Sequence, residues 1–108
     1  MPGIREIVSF EEYKEIIATN KFVVVDFHAT WCGPCKLIAP LIKELADATE
    51  NQHIVFLKVN VDDAAEISQD VGIRAMPTFL FYKDGEKVNE IVGANKAKIV
   101  ETVASFAA

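Results

Sequence analysis

Phe22 to Phe27 reads Phe-Val-Val-Val-Asp-Phe, apolar at every position but one. A strand with one wet face alternates apolar and polar side chains, whereas a strand covered on both faces does not. The run therefore predicts a central strand with other elements packed above and below it. The rest of the chain must supply neighbouring strands and helices for both faces.

Ile4 to Val8 is apolar-rich and short, as expected of an edge strand. Ser9 stands three residues before Glu12, the spacing of a capping box. Phe10, Tyr13, Ile16 and Ile17 follow at helical spacing, and Asn20 and Lys21 close that helix. A second helix is expected from near Cys32 to about Glu50, with Leu37, Ile38, Leu41, Ile42, Leu45 and Ala46 as its apolar stripe and Pro40 as a kink. Ile54 to Val61 reads as another buried strand, and His53 is expected to start a strand and to be exposed. Asp62 and Asp63 are candidate caps for a short helix ending at Gly72. Thr78 to Tyr82 and Glu86 to Val92 read as two strands joined at Lys83-Asp84-Gly85, a hairpin signal. Gly93 and Asn95 lead into a last helix with Ile99, Val100, Val103 and Phe106 facing inward.

The order β-α-β-α-β-α-β-β-α predicts an α/β fold. Strands separated by helices become parallel neighbours, and the hairpin adds an antiparallel pair. The expected architecture is a central mixed sheet, three parallel strands plus an antiparallel hairpin, flanked by helices on both faces. Residues 1–108 show no repeat, linker or low-complexity stretch and read as a single domain, large enough to bury a core without a disulfide staple. A net charge of −5 argues against a nucleic-acid partner, which wants a basic face. No apolar run is long enough to span a membrane. The start, Met1-Pro2-Gly3-Ile4-Arg5-Glu6, has neither secretory nor transit-peptide character, so a cytoplasmic location is expected.

The chain has two cysteines, Cys32 and Cys35, inside Trp31-Cys32-Gly33-Pro34-Cys35-Lys36. In a reducing compartment such a pair is catalytic or metal-binding more often than structural. As a staple, so short a loop contributes only about 2 kcal/mol. A structural zinc site needs four ligands, and only His28 and His53 could join the thiols. A redox pair is the reading left, with no metal expected. If Cys32 is the N-cap of the second helix, Pro34 has no amide to offer, and the Cys35 N–H becomes the donor to the Cys32 sulfur. A helix terminus contributes about 0.3–2 kcal/mol to a nearby charge. That makes Cys32 reactive near neutral pH without making it an extreme thiolate, and leaves Cys35, one turn inside, shielded.

Asp26 interrupts the central strand, so its carboxyl should be buried and its pKa raised. Such a group beside two titrating thiols suits general acid–base work. The structural alternative is a carboxylate held by a backbone amide or by Lys58. Trp31, just before the helix cap, is expected to cover the site rather than fill the core. Lys36 could favour a thiolate or simply be solvated. His28 reads as a packing position with no proton role. Met76-Pro77-Thr78 reads, on its residues alone, as a loop before a strand, and Gly93 fits a close backbone approach as well as a simple turn.

Taken together, the stretches VVVDFHATWCGPCK, FLKVNVDD, MPTF, KDGEKV and VGANK resemble the thioredoxin family over essentially the whole length, with wording like its eukaryotic cytosolic branch. The resemblance implies the thioredoxin fold and a general protein dithiol–disulfide oxidoreductase. It implies that Cys32 attacks a substrate disulfide, that Cys35 resolves the mixed disulfide, and that Asp26 handles the Cys35 proton. It further implies that Pro77 is a cis-proline facing the pair and that the Met76 backbone pairs with an extended substrate. Trp31, Gly33, Pro34, Ala75, Thr78, Gly93 and Ala94 would line the docking surface, with Lys58 and Lys36 in support. No bound cofactor is implied; electrons would come from NADPH through thioredoxin reductase. Implied substrates are peroxiredoxin, methionine sulfoxide reductase and ribonucleotide reductase. With no third cysteine to link copies, a monomer is expected. Rival readings are a binding module using the same surface without turnover, and an oxidase or isomerase, which usually carries His where this chain has Gly33-Pro34.

Overall fold

Val23 to Phe27 are buried without interruption, and the two faces of their strand go to different cores. A computed structural model describes residues 3–108. Its elements, in order, are β1 (Ile4–Glu6), α1 (Phe10–Thr19), β2 (Phe22–His28), α2 (Gly33–Asp47), β3 (Val55–Asn60), α3 (Ala65–Val71), β4 (Thr78–Lys83), β5 (Glu86–Val92) and α4 (Lys96–Phe106). The strands lie in the order β1-β3-β2-β4-β5. β1, β3 and β2 are parallel neighbours; β4 runs antiparallel to β2, and β5 to β4. This is the mixed sheet expected from the alternation of elements.

Side chains alternate across a strand, so β2 feeds both layers. Val23, Val25 and Phe27 join Tyr13, Ile16, Ile17 and Ile67 beneath α1 and α3. Val24 joins Phe56, Phe79, Ile38, Ile42, Ile99 and Val103 beneath α2 and α4. Fully burying a side chain of this size stabilises the fold by about 1.5–3 kcal/mol, so the two clusters, not local propensity, hold the helices on the sheet.

Local signals explain most of the boundaries. The Ser9 hydroxyl accepts from the Glu12 N–H at 3.2 Å and starts α1. The Glu12 carboxylate goes to Arg5 rather than back to the cap, so only half of the expected capping box forms. Gly72 closes α3 in the left-handed region, at φ 75°. The β4–β5 turn is shorter than expected, because Lys83 stays in the strand. Asp84 and Gly85 then form the turn with φ 53° and 85°, the positive pair that a two-residue type I′ hairpin requires.

Several expectations are corrected. The first strand ends at Glu6, and the third excludes Ile54 and Val61. His53 is exposed as expected, but lies in a turn, its ring nitrogen 2.9 Å from the Ala107 carbonyl oxygen. α2 stops at Asp47, because Ala48 turns extended (ψ 136°) before a 3-10 turn at Thr49–Asn51. Asp62 and Asp63 cap nothing: Ala64 is the N-cap of α3, and the Asn60 side-chain oxygen accepts from both Asp62 and Asp63 amides. Leu37 is 70% exposed and Val100 42% exposed. Each sits one position off the stripe that Ile38 and Ile42, or Ile99 and Val103, turn to the sheet.

Candidate functional site

The loop after β2 delivers the cysteine pair to the start of α2. Cys32 is the N-cap, with extended backbone (φ −87°, ψ 109°), and Pro34 stands in the first turn, where no intrahelical amide partner is lost. The Cys35 N–H points at Cys32 Sγ, 3.1 Å away, as the missing Pro34 amide predicts. The two residues are disulfide-bonded, with Cα atoms 5.3 Å apart. Burial does not separate them as expected, since Cys32 is 5% and Cys35 6% exposed. What separates them is position. Cys32 Sγ receives the helix-start amide and lies 3.7 Å from the Met76 carbonyl oxygen, whereas Cys35 lies within the helix, facing a cleft beside α2. Ala29 completes the small buried cluster around the pair, with Met76 and Val61 against it.

Met76 belongs to a second segment that approaches from β4. Its bond to Pro77 is cis. Two hydrogen bonds and one register pairing fix this loop. Thr78 Oγ1 donates to the Ala75 carbonyl at 2.6 Å, the Gly93 N–H donates to the Pro77 carbonyl at 2.8 Å, and Thr78 sits opposite Val92 in the β4–β5 pairing. Gly93 holds φ 103°, and a Cβ there would meet open space. Its glycine is therefore required by backbone conformation, not by a close approach. Ala94 is half-buried beside it, against the α2/α4 core.

Trp31, Gly33 and Pro34 stand exposed around the pair. Trp31 is 67% exposed, so it is not core. Its Nε1–H donates to the Asp62 carboxylate at 2.8 Å. Asp62, expected from the sequence as a helix cap, thus touches the tryptophan beside the cysteine pair; nothing in the spacing of positions 31 and 62 announces their contact.

Asp26 lies on the α2 face of β2, opposite Lys58 on β3 and Phe79 on β4. It is buried, and among the described residues its Oδ1 has no hydrogen-bond partner. Burial pushes its carboxyl up from 3.8 to about 7; Lys58 opposes that rise and Glu6 adds to it. Next to Cys35, a cleft of about 310 Å³ is lined by His28, Ala29, Thr30, Cys35, Lys36, Ala39 and Lys58. Lys58 thus faces both the buried carboxylate and the space next to Cys35, while the exposed Lys36 stands at the cleft's α2 wall. Glu6, not singled out from the sequence, reaches this region because β1 pairs with β3, and its carboxylate lies 3.4 Å from His28 Nε2.

The site thus unites three separated segments: a disulfide-bonded cysteine pair at a helix start, a cis-proline loop across from it, and the buried Asp26 of β2, opposite a lysine that lines the cleft beside Cys35. The thioredoxin family model matches residues 5–105. The chain is 48% identical to the thioredoxin of Rattus norvegicus over 106 residues, spanning 96% of this chain and 99% of the relative. It is 42% identical to the thioredoxin of Malassezia sympodialis over 105 residues, 97% of this chain and 100% of the relative. The crystal structure of Malassezia sympodialis thioredoxin superimposes with a TM-score of 0.94 at 41% identity, covering 100% of this chain and 94% of that one. A solved structure of Plasmodium falciparum thioredoxin gives 0.89 at 38% identity, covering 94% of this chain and 98% of that one. The chain, with its Cys32–Cys35 pair on this scaffold, belongs to the thioredoxin family of protein-disulfide oxidoreductases.

Proposed function

We propose that the chain reduces protein disulfides by a division of labour within this site, and the single observation that carries it is the Cys35 amide directed at Cys32 Sγ at the start of α2. In the reduced protein that amide and the helix terminus favour a thiolate on Cys32 over one on Cys35. The Cys32 thiolate attacks one sulfur of a substrate disulfide, and the other sulfur leaves as a thiolate. Cys35 then loses its proton and attacks Cys32 Sγ. The second substrate thiolate departs, and the two electrons of the pair have passed to the substrate as Cys32 and Cys35 join.

Asp26 takes the Cys35 proton in this reading. A carboxyl with a pKa near 7 is half-ionised at neutral pH and can both accept and return a proton. Lys58, opposite it, stabilises the ionised form, and Lys36 adds positive field at the cleft. The substrate lies extended against the Met76 backbone beside Pro77, over Gly33, Pro34, Ala75, Thr78, Gly93 and Ala94, with Trp31 as the exposed apolar flank. The whole chain acts as one domain and as a monomer, with no resident cofactor.

Family membership supports the cellular assignment. Thioredoxin reductase would return the pair to the dithiol with electrons from NADPH. Peroxiredoxin, methionine sulfoxide reductase and ribonucleotide reductase would be its substrates, in a cytoplasmic role in electron transport and redox homeostasis. No helix among the described residues is long and apolar enough to cross a membrane. The deciding experiment is insulin reduction with dithiothreitol, together with the reduction potential of the pair. Turnover at a potential near −270 mV supports a reductase, whereas a potential near −120 mV would make it an oxidant. No turnover at all would leave a binding module.

A further inference from the structure

The α2 face of the sheet carries a row of charges that the family roles above do not use in full. Glu6 on β1, Lys58 on β3 and Asp26 on β2 are register neighbours across three parallel strands. They share one face, because each lies two residues beyond Ile4, Phe56 and Val24, which pack together beneath α2. The order across the sheet is carboxylate, ammonium, carboxylate. His28, two residues beyond Asp26 on the same face, reaches Glu6 at 3.4 Å. The His28 side chain is 13% exposed and Glu6 52%, so the pair stands where this row meets solvent.

We propose that Glu6 and His28 are positioning residues for the Asp26 step, their contact deciding how far Glu6 offsets the Lys58 ammonium that faces Asp26. This rests on the reading of Asp26 as acceptor of the Cys35 proton. The electrostatics follow from the row. Glu6 opposes the ionised form of Asp26, and Lys58 favours it. A cationic His28 neutralises Glu6 and adds its own positive field, so Lys58 acts on Asp26 unopposed. A neutral His28 leaves Glu6 free to cancel Lys58. The other groups that face His28 are Cys35 and Lys36, across the cleft from α2. Further along the groove shared by Glu6 and Lys58, Lys43 is engaged by Asp47 at 2.6 Å and contributes little net field. Strands are spaced about 4.8 Å apart, so Glu6 acts on Asp26 from about 10 Å. At that range, in the screened surroundings of a protein surface, removing one charge moves a titration by about half a pH unit.

The test is the titration of the Asp26 carboxyl followed by NMR in the reduced full-length chain, with Glu6→Gln, His28→Gln and the double variant. Glu6→Gln lowers the Asp26 midpoint by about half a pH unit, which is about threefold in the ionised fraction below it. His28→Gln raises the midpoint, and His28→Asn does the same if the longer amide disturbs packing. The double variant lies near Glu6→Gln rather than at the sum of the two opposed shifts, since without Glu6 the His28 change has no pair left to break. The pH profile of single-turnover disulfide reduction moves in the same directions. Midpoints that stay at the parent value in both single variants overturn the proposal. Asp26→Asn is measured alongside: if it slows reduction while those midpoints stay fixed, only the Glu6–His28 proposal fails. If it leaves reduction unchanged, the reading of Asp26 fails, and the proposal with it.

Discussion

Asp26 and Lys58 occupy opposed positions on neighbouring parallel strands, yet among the described residues Asp26 Oδ1 has no hydrogen-bond partner. The lysine is near enough to be felt and does not satisfy the carboxylate. That leaves a buried acid whose charged form is costly, the condition that holds its pKa near 7.

The consequence for stability has a definite sign. The native pKa lies above the unfolded value of about 3.8, so the native state binds the proton more tightly. Below about pH 4 both states are protonated and burial of the carboxyl costs nothing extra. As pH rises from 4 through 7 the native state loses stability relative to a neutral side chain. The full difference, up to about 4 kcal/mol for a rise of about three pKa units, is present above pH 7. Asp26→Asn should therefore match the parent in urea denaturation near pH 4 and exceed it at pH 8. The same variant should reduce disulfides about tenfold to a hundredfold more slowly near pH 7. Equal stability at pH 8 would mean that the carboxyl is not desolvated.

The cysteines should prove unequal despite equal burial. Cys35→Ser keeps the attacking thiol and removes the resolving one, so partners should accumulate as mixed disulfides on Cys32, visible on non-reducing gels and released by dithiothreitol. Cys32→Ser should trap almost nothing and lose insulin reduction. Comparable trapping by both variants would contradict the assignment of Cys32 as the nucleophile.

Trp31 is the single tryptophan, so its emission reports on the docking surface alone. Asp62→Ala removes the acceptor of its indole N–H. Both groups are exposed, so global stability should fall by no more than about 1 kcal/mol. The Trp31 emission and its quenching by iodide should nevertheless change, and kcat/KM for a protein substrate should fall more than for a small disulfide. An unchanged spectrum would show that Asp62 does not hold the ring.

These relationships differ in how far the chain itself announces them. The Phe22–Phe27 run implies a two-sided central strand because six adjacent positions carry the signal, and the Cys32 cap follows from Pro34 lacking an amide. Both are local. Leu37 and Val100 were misplaced because each is apolar and adjacent to a true core position, and one residue of helix rotates a side chain by about 100°. Lys58 beside Asp26 is expected from the sequence, but the Trp31–Asp62 contact and the place of Glu6 on the far side of Lys58 are not legible in it. Both depend on which strands pair and in what register, and a parallel register is set by crossover helices and packing rather than by any turn motif. The site lies where those long-range pairings converge, so its least local members were the ones missed.

Gly93 and Gly85 offer a matched test of how the fold serves the site. Both hold positive φ, 103° and 85°, and a Cβ at either meets nothing within 4 Å. Alanine at either position is therefore strained through its backbone and not through a clash, at a cost of about 1–3 kcal/mol. Gly85 turns the β4–β5 hairpin at the end where Lys83 pairs with Glu86. Gly93 lies at the other end of the same two strands, where its amide anchors the Pro77 carbonyl at 2.8 Å. Both variants should lose stability in denaturant unfolding. Only Gly93→Ala should also raise KM for protein disulfides, because relief of its strain moves the loop that faces Cys32. Equal activity in the two variants would show that the Gly93 amide does not position the Met76–Pro77 segment.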